Sequence, residues 1–161
     1  MTVTASSTTN NRYYAGAIAY LGEDGVIDNV YTTGSITNTA TYYSYTGGLV
    51  GYSLGTIKNS YSTCTVVGKS STLFATAGGL VGYLEGSIED SYATGNVTAT
   101  GGSNAYSKNG GLVGDKSTSA VITNCYRADT QTLIKYNSSD SMYNSDGTIE
   151  TIENIKKILN K

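Results

Sequence analysis

The chain has 161 residues with 10 basic and 12 acidic side chains, a net charge of −2, and 39% hydrophobic residues. That length supports one domain with a real core. The balanced charge argues against a nucleic-acid partner, and the lack of any run of about 18 apolar residues argues against membrane insertion as a helix. Gly (20) and Tyr (15) are abundant, and Pro, His and Trp are absent, which predicts many short strands joined by tight turns.

Residues 1–14 read as an N-terminal strand or cap segment. MTVTASSTTNNR lacks the charged start and apolar stretch of an export signal. Four similar segments then fill 15–132. AGAIAY at 15–20 leads into VIDNVYTTGSIT, and GGLVGY at 47–52 into TIKNSYSTCTVV. GGLVGY at 78–83 leads into SIEDSYATGNVT, and GGLVGD at 110–115 into VITNCYRADTQT.

The second segment contains Gly51-Tyr52-Ser53-Leu54-Gly55, which fits the G-x-S-x-G elbow of serine hydrolases. The third segment keeps both glycines and the Tyr but has Leu84 where Ser53 stands. The glycines therefore belong to the repeat. With no His to take a hydroxyl proton, no catalytic residue is expected. Val67-Gly68-Lys69-Ser70 resembles the end of a phosphate-binding loop, but Thr63 stands where that loop needs its first Gly. Cys64 and Cys125 fall in different repeat columns, so two free thiols are expected. Neither forms a C-x-x-C pair, so no zinc site is expected.

Residues 133–161 form the C-terminal segment. Asn144, Asp146 and Glu153 take the third, fifth and twelfth places of a calcium loop, but Met142 occupies the first, where a carboxylate is required. A turn before a helix is expected there instead of a metal site, and no cofactor is expected. Ile149, Ile152, Ile155, Ile158 and Leu159 recur at helical steps, with Glu150 and Glu153 early and Lys156 and Lys157 late. The stripe predicts a helix over 148–160 that caps the last repeat.

Gly16, Gly48, Gly79 and Gly111 recur at spacings of 32, 31 and 32 residues, and Tyr31, Tyr61, Tyr92 and Tyr126 form a parallel column. Ile27, Ile57, Ile88 and Ile122 form a β-branched column, and Ile36, Val66 and Val97 another. Asn29, Asn59, Asp90 and Asn124 form a polar one. A period this regular predicts an all-β, right-handed parallel β-solenoid. It has about four coils of ~31 residues, roughly three strands each, with like side chains stacked ~4.8 Å apart.

GGLVGY followed by x-I-x-(N/D)-S-Y-x-T resembles the GLUG repeat of bacterial surface and secreted proteins. The resemblance covers about 15–130 and departs at Ala17-Ile18-Ala19 and at Asp115. It implies a β-solenoid and an extracellular or cell-surface setting, and no reaction. The expected function is a non-catalytic structural or adhesive module facing a glycan or a host or cell-surface protein, with end-to-end self-association through exposed coil edges. One alternative is a glycan-binding accessory module. Tyr43, Phe74 and Tyr106 each precede the aligned Gly by five residues, and with Tyr42 and Tyr45 they would form its aromatic strip. A second alternative is a polysaccharide-cleaving β-helix, for which Glu85, Glu89 and Asp90 are the one local acidic group.

Overall fold

A computed structural model describes residues 1–9, 11–102, 106–136 and 147–159. The chain opens with β1 (Thr2–Ser7) and then winds through four coils of five strands. The first coil comprises β2 (Arg12–Ala15), β3 (Ile18–Leu21), β4 (Val26–Asp28), β5 (Tyr31–Thr32) and β6 (Ser35–Ala40). The second comprises β7 (Tyr43–Gly47), β8 (Val50–Ser53), β9 (Thr56–Lys58), β10 (Tyr61–Ser62) and β11 (Thr65–Ser70). The third holds β12 (Ala75–Gly78), β13 (Val81–Leu84), β14 (Ser87–Glu89), β15 (Tyr92–Ala93) and β16 (Val97–Thr100). The fourth holds β17 (Ser107–Gly110), β18 (Val113–Lys116), β19 (Val121–Thr123), β20 (Tyr126–Ala128) and β21 (Leu133–Tyr136). β22 (Thr148–Glu150) and α1 (Ile152–Leu159) follow.

Corresponding strands pair in parallel into five sheets, here I to V in the order a coil visits them. Sheets I, II and III have four strands each. Sheet IV gains β22 beyond the last coil, and sheet V gains β1 before the first. The chain is thus a parallel β-solenoid of about four turns with one short C-terminal helix. Like lies on like, as the columns predict: Tyr61 sits between Tyr31 and Tyr92, Ile57 between Ile27 and Ile88, and Val66 between Ile36 and Val97.

Each coil has five strands where three were expected. Two chain features cut it finely. Asn29, Asn59, Asp90 and Asn124 all adopt left-handed backbone, with φ of 57°, 50°, 46° and 50°. Asn and Asp tolerate that region best among residues with a Cβ, so this column turns the chain from sheet III to sheet IV. The second feature is the Gly-Gly-Leu bend between sheets I and II, where the strands of neighbouring coils approach backbone to backbone. A Cβ on Gly79 in the bend would run into Gly111 O of the next coil, and one on Gly82, inside β13, would lie 2.5 Å from Gly51 O.

The interior divides in two. Leu49, Val50, Ile57, Leu80, Val81, Leu84, Ile88, Leu112 and Val113 fill one core, while Ile36, Cys64, Val66, Ala77, Val97 and Ala99 fill a second. Between the strands of sheet IV and the turn before it runs a hydroxyl column. Val30 N donates to Ser60 Oγ and Ser60 N to Ser91 Oγ, each at 3.1 Å. Ser60 and Ser91 in turn donate to Lys58 O and Glu89 O at 2.7 Å. Cys125 holds the same place in the last coil and donates to Thr123 O at 3.1 Å. The Val30 and Ser60 amides at the turn thus each meet a hydroxyl of the next coil.

Other boundaries differ from the sequence reading as well. The coils begin at Arg12 and end at Tyr136, outside 15–132. Thr148–Glu150, expected as the start of the helix, instead extends sheet IV beside β20. Of the predicted apolar stripe, Ile155 is fully buried, while Ile149, Ile152 and Ile158 are exposed. The helix packs against β20.

Candidate functional site

The outer faces of sheets I, II and IV carry most of the aromatic side chains that the structure pairs. Strand alternation directs one set of residues outward on each coil, and the parallel register stacks them. On sheet I, Tyr43, Phe74 and Tyr106 form one ladder. Its rings lie 5.6 Å and 5.4 Å apart with interplanar angles of 6° and 21°. The Arg12 guanidinium lies 6.0 Å from the Tyr43 centroid and closes that end of the ladder.

Two residues further along the same strands stand Tyr14 and Tyr45, with centroids 5.7 Å apart. Across the bend, sheet II contributes Tyr20, Tyr52 and Tyr83, stacked at 5.8 Å and 5.1 Å. Tyr45 touches both Tyr52 and Tyr83 edge-on. In the fourth coil Lys108 and Asp115 replace the tyrosines and form an ion pair at 2.9 Å. On sheet IV, Tyr31, Tyr61 and Tyr92 stack at 5.3 Å and 4.7 Å, almost parallel at 11° and 4°. A cleft beside them is lined by Asn29, Asn59, Tyr61 and Lys156, so the helix reaches this face.

The electrostatics follow from burial. Tyr52 donates its hydroxyl proton to Glu85. Burial first, and then that carboxylate, raise the Tyr52 pKa well above the usual phenol range. Burial likewise raises Tyr45, and burial with Asp115 and Glu85 raises Tyr83. These phenols are held neutral and act as packing and hydrogen-bonding groups.

Of the predicted strip, the structure joins Tyr43, Phe74 and Tyr106 in one ladder and places Tyr45 in the neighbouring cluster. Tyr42 is half-buried and its carbonyl accepts from Ser70 Oγ at 2.7 Å. The sequence reading missed Arg12, Tyr14, Tyr20, Tyr52 and Tyr83. For Tyr20, Tyr52 and Tyr83 the signal was the Tyr ending AGAIAY and GGLVGY, read there as a motif letter, while Arg12 and Tyr14 precede the first repeat. Ser53 is fully buried, stacked between Leu21 and Leu84, and its Oγ donates to Gly55 O at 3.5 Å. Cys64 and Cys125 are both free and buried, and burial pushes the Cys125 thiol up to about 11. Asn144 and Asp146 lie outside the described residues, and Glu153 is exposed on α1. Among the described residues no helix is long and apolar enough to cross a membrane.

Residues 42–67 and 75–98 match the GLUG motif. The first segment runs from Tyr42 into β11 of coil two, and the second from the start of β12 into β16 of coil three. No curated protein and no solved structure matches the chain.

Proposed function

We propose that this chain is a non-catalytic structural or adhesive repeat module of a bacterial cell-surface or secreted protein. One observation carries the reading: the outward aromatic rings stack face to face along the solenoid axis. A sugar ring is gripped by an open aromatic face. Here the faces of Tyr61, Phe74 and Tyr52 are each occupied by rings of the coils above and below, and Arg12 lies over Tyr43. The aromatic columns therefore join coil to coil, as the Asn, Ser and Ile columns do. The GLUG motif in the two central coils and the Thr, Ser and Asn surface support an extracellular setting.

The acidic group considered for polysaccharide cleavage supports this reading too. Glu85 accepts from Tyr52, and Asp90 accepts from the Asn124 amide. Both carboxylates are engaged in joining coils. A glycan array with millimolar-affinity detection, paired with a turnover assay on polyuronates, tests the proposal. The expected result is neither binding nor cleavage. A glycan signal lost in Tyr106→Ala would replace the proposal with a glycan-binding module, and any turnover would replace it with an enzyme.

A further inference from the structure

The tyrosines on either side of the bend between sheets I and II form one connected cluster, and one of them has a base. Tyr52 on β8 is its centre. The Tyr52 ring centroid lies 5.1 Å from Tyr14, 5.8 Å from Tyr20, 5.7 Å from Tyr45 and 5.1 Å from Tyr83. Tyr52 is only 8% exposed, whereas Tyr20, stacked on it at 17°, is 49% exposed. The Tyr52 hydroxyl donates to Glu85 Oε1 of the next coil. The backbone holds that carboxylate in place, because Glu85 N donates to Ser53 O at 2.8 Å, one residue beyond Tyr52. Other phenols meet other partners. The Tyr13 hydroxyl shares a hydrogen bond with the Thr9 hydroxyl, and Tyr126 donates to the Asn124 side-chain oxygen. Neither an alcohol nor an amide takes up a proton at neutral pH.

We infer that Tyr52 is a redox site: it gives one electron, through the stacked Tyr20 ring, to a diffusible one-electron oxidant while its phenolic proton passes to Glu85. A phenol that loses an electron becomes a strong acid, so the loss is easiest where a positioned base accepts the proton. Burial keeps Tyr52 protonated beforehand, so no phenolate is present to lose the electron alone. In the step the Tyr52 O–H bond breaks, Glu85 becomes a carboxylic acid, and the oxidant is reduced by one electron. A neutral phenoxyl radical remains. A one-electron reductant at Tyr20 reverses the step, with the proton returning from Glu85. Burial also sets the lifetime. Radicals on exposed rings such as Tyr31 and Tyr106 can meet those of a second copy and couple, whereas one on Tyr52 is shielded by its neighbours. Glycan binding elsewhere on the surface would leave this chemistry unchanged, so the proposed function and this step can fail separately.

Flash-generated tris(bipyridine)ruthenium(III) supplies the oxidant for the test, with tyrosyl radical followed by transient absorption and electron paramagnetic resonance. The samples are wild type, Tyr52→Phe, Glu85→Gln and, as a control, Tyr61→Phe, which removes a hydroxyl from the equally stacked ladder of sheet IV. Wild type should show a short-lived radical from exposed tyrosines and a long-lived one that forms more slowly in deuterium oxide. Tyr52→Phe should lose the long-lived radical, and Tyr61→Phe should keep it. Glu85→Gln retains an oxygen that accepts from Tyr52 but takes no proton. The long-lived radical should then form about a hundred-fold more slowly, the low end of what a positioned base contributes. Should Tyr52→Phe fail to fold by circular dichroism, Glu85→Gln and the isotope effect decide. The inference is overturned if wild type gives no long-lived radical, if that radical survives Tyr52→Phe, or if it forms in Glu85→Gln at the wild-type rate.

Discussion

Gly82→Ala is the sharpest probe of how the coils are joined. The added Cβ would sit 2.5 Å from Gly51 O, 2.6 Å from Thr46 N and 2.9 Å from Thr46 C. All three are backbone atoms inside parallel sheets, so no side chain can swing aside. To reach an ordinary contact, the strands of sheets I and II must part by about an ångström at the interface between the second and third coils. Overpacking of this kind costs roughly 1–3 kcal/mol where side chains can adjust, and here they cannot, so about 3 kcal/mol or more is expected. For a chain of this length that lowers Tm by roughly 6–12 °C. Gly22 provides the control, because a Cβ there meets nothing within 4 Å. Gly22→Ala should be neutral or raise stability by up to about 1 kcal/mol, through a less flexible unfolded chain. Urea unfolding followed by far-ultraviolet circular dichroism separates the two. If Gly82→Ala stays within about 0.5 kcal/mol of wild type, a clear departure from the range expected for overpacking, the backbone-to-backbone packing of sheets I and II is wrong.

Ser91→Ala should cost about 1–3 kcal/mol, because the Ser60 amide and Glu89 carbonyl lose a buried partner; hydrogen exchange at the Ser60 amide should speed up with it. At the left-handed turn, Asn59→Ala should cost about 1–2 kcal/mol and Asn59→Gly clearly less, as measured by thermal unfolding. Cys125 has its folded pKa raised to about 11, so the folded state holds a proton that the unfolded chain releases earlier. Its contribution is therefore complete below the ordinary thiol pKa and is lost as pH rises towards 11. Stability should fall by up to about 3 kcal/mol across that window. Cys125→Ala should flatten this part of the profile, and the native thiol should resist alkylation at pH 8.

The repeat made much of the fold legible because every column has a structural job that needs one kind of side chain. Ile57 and Ile88 had to be apolar and β-branched to stack inside, and Asn59 and Asn124 had to tolerate a left-handed turn. What escaped the sequence reading lacked such a signature. Tyr31-Thr32 is a two-residue strand, too short to show alternation, so five strands per coil looked like three. Arg12 to Tyr14 precede the first glycine and were left outside the coil. Thr148 to Glu150 share their isoleucine spacing with the helix that follows, and only the free edge of β20 draws them into a sheet. The aromatic wall was half visible. Tyr43, Phe74 and Tyr106 stood out against variable loops, whereas Tyr20, Tyr52 and Tyr83 were hidden by being regular.

The ladders and columns do not all end in the same way. A ring at the end of a stack has one face with no neighbour. At one end of each ladder on sheets I and II that problem is met with charge: Arg12 lies over Tyr43 in the first coil, and Asp115, paired with Lys108, follows Tyr83 in the last, while Tyr106 and Tyr20 at the other ends are exposed. Charged groups keep their ends in water and offer nothing for another coil to stack upon. The column of sheet V has no such terminator. It ends in Val3 on one side and Leu133 on the other, both apolar and both partly exposed. Val3 and Leu133 thus leave the second core less covered at its ends than Ile36, Val66 and Val97 do in its middle.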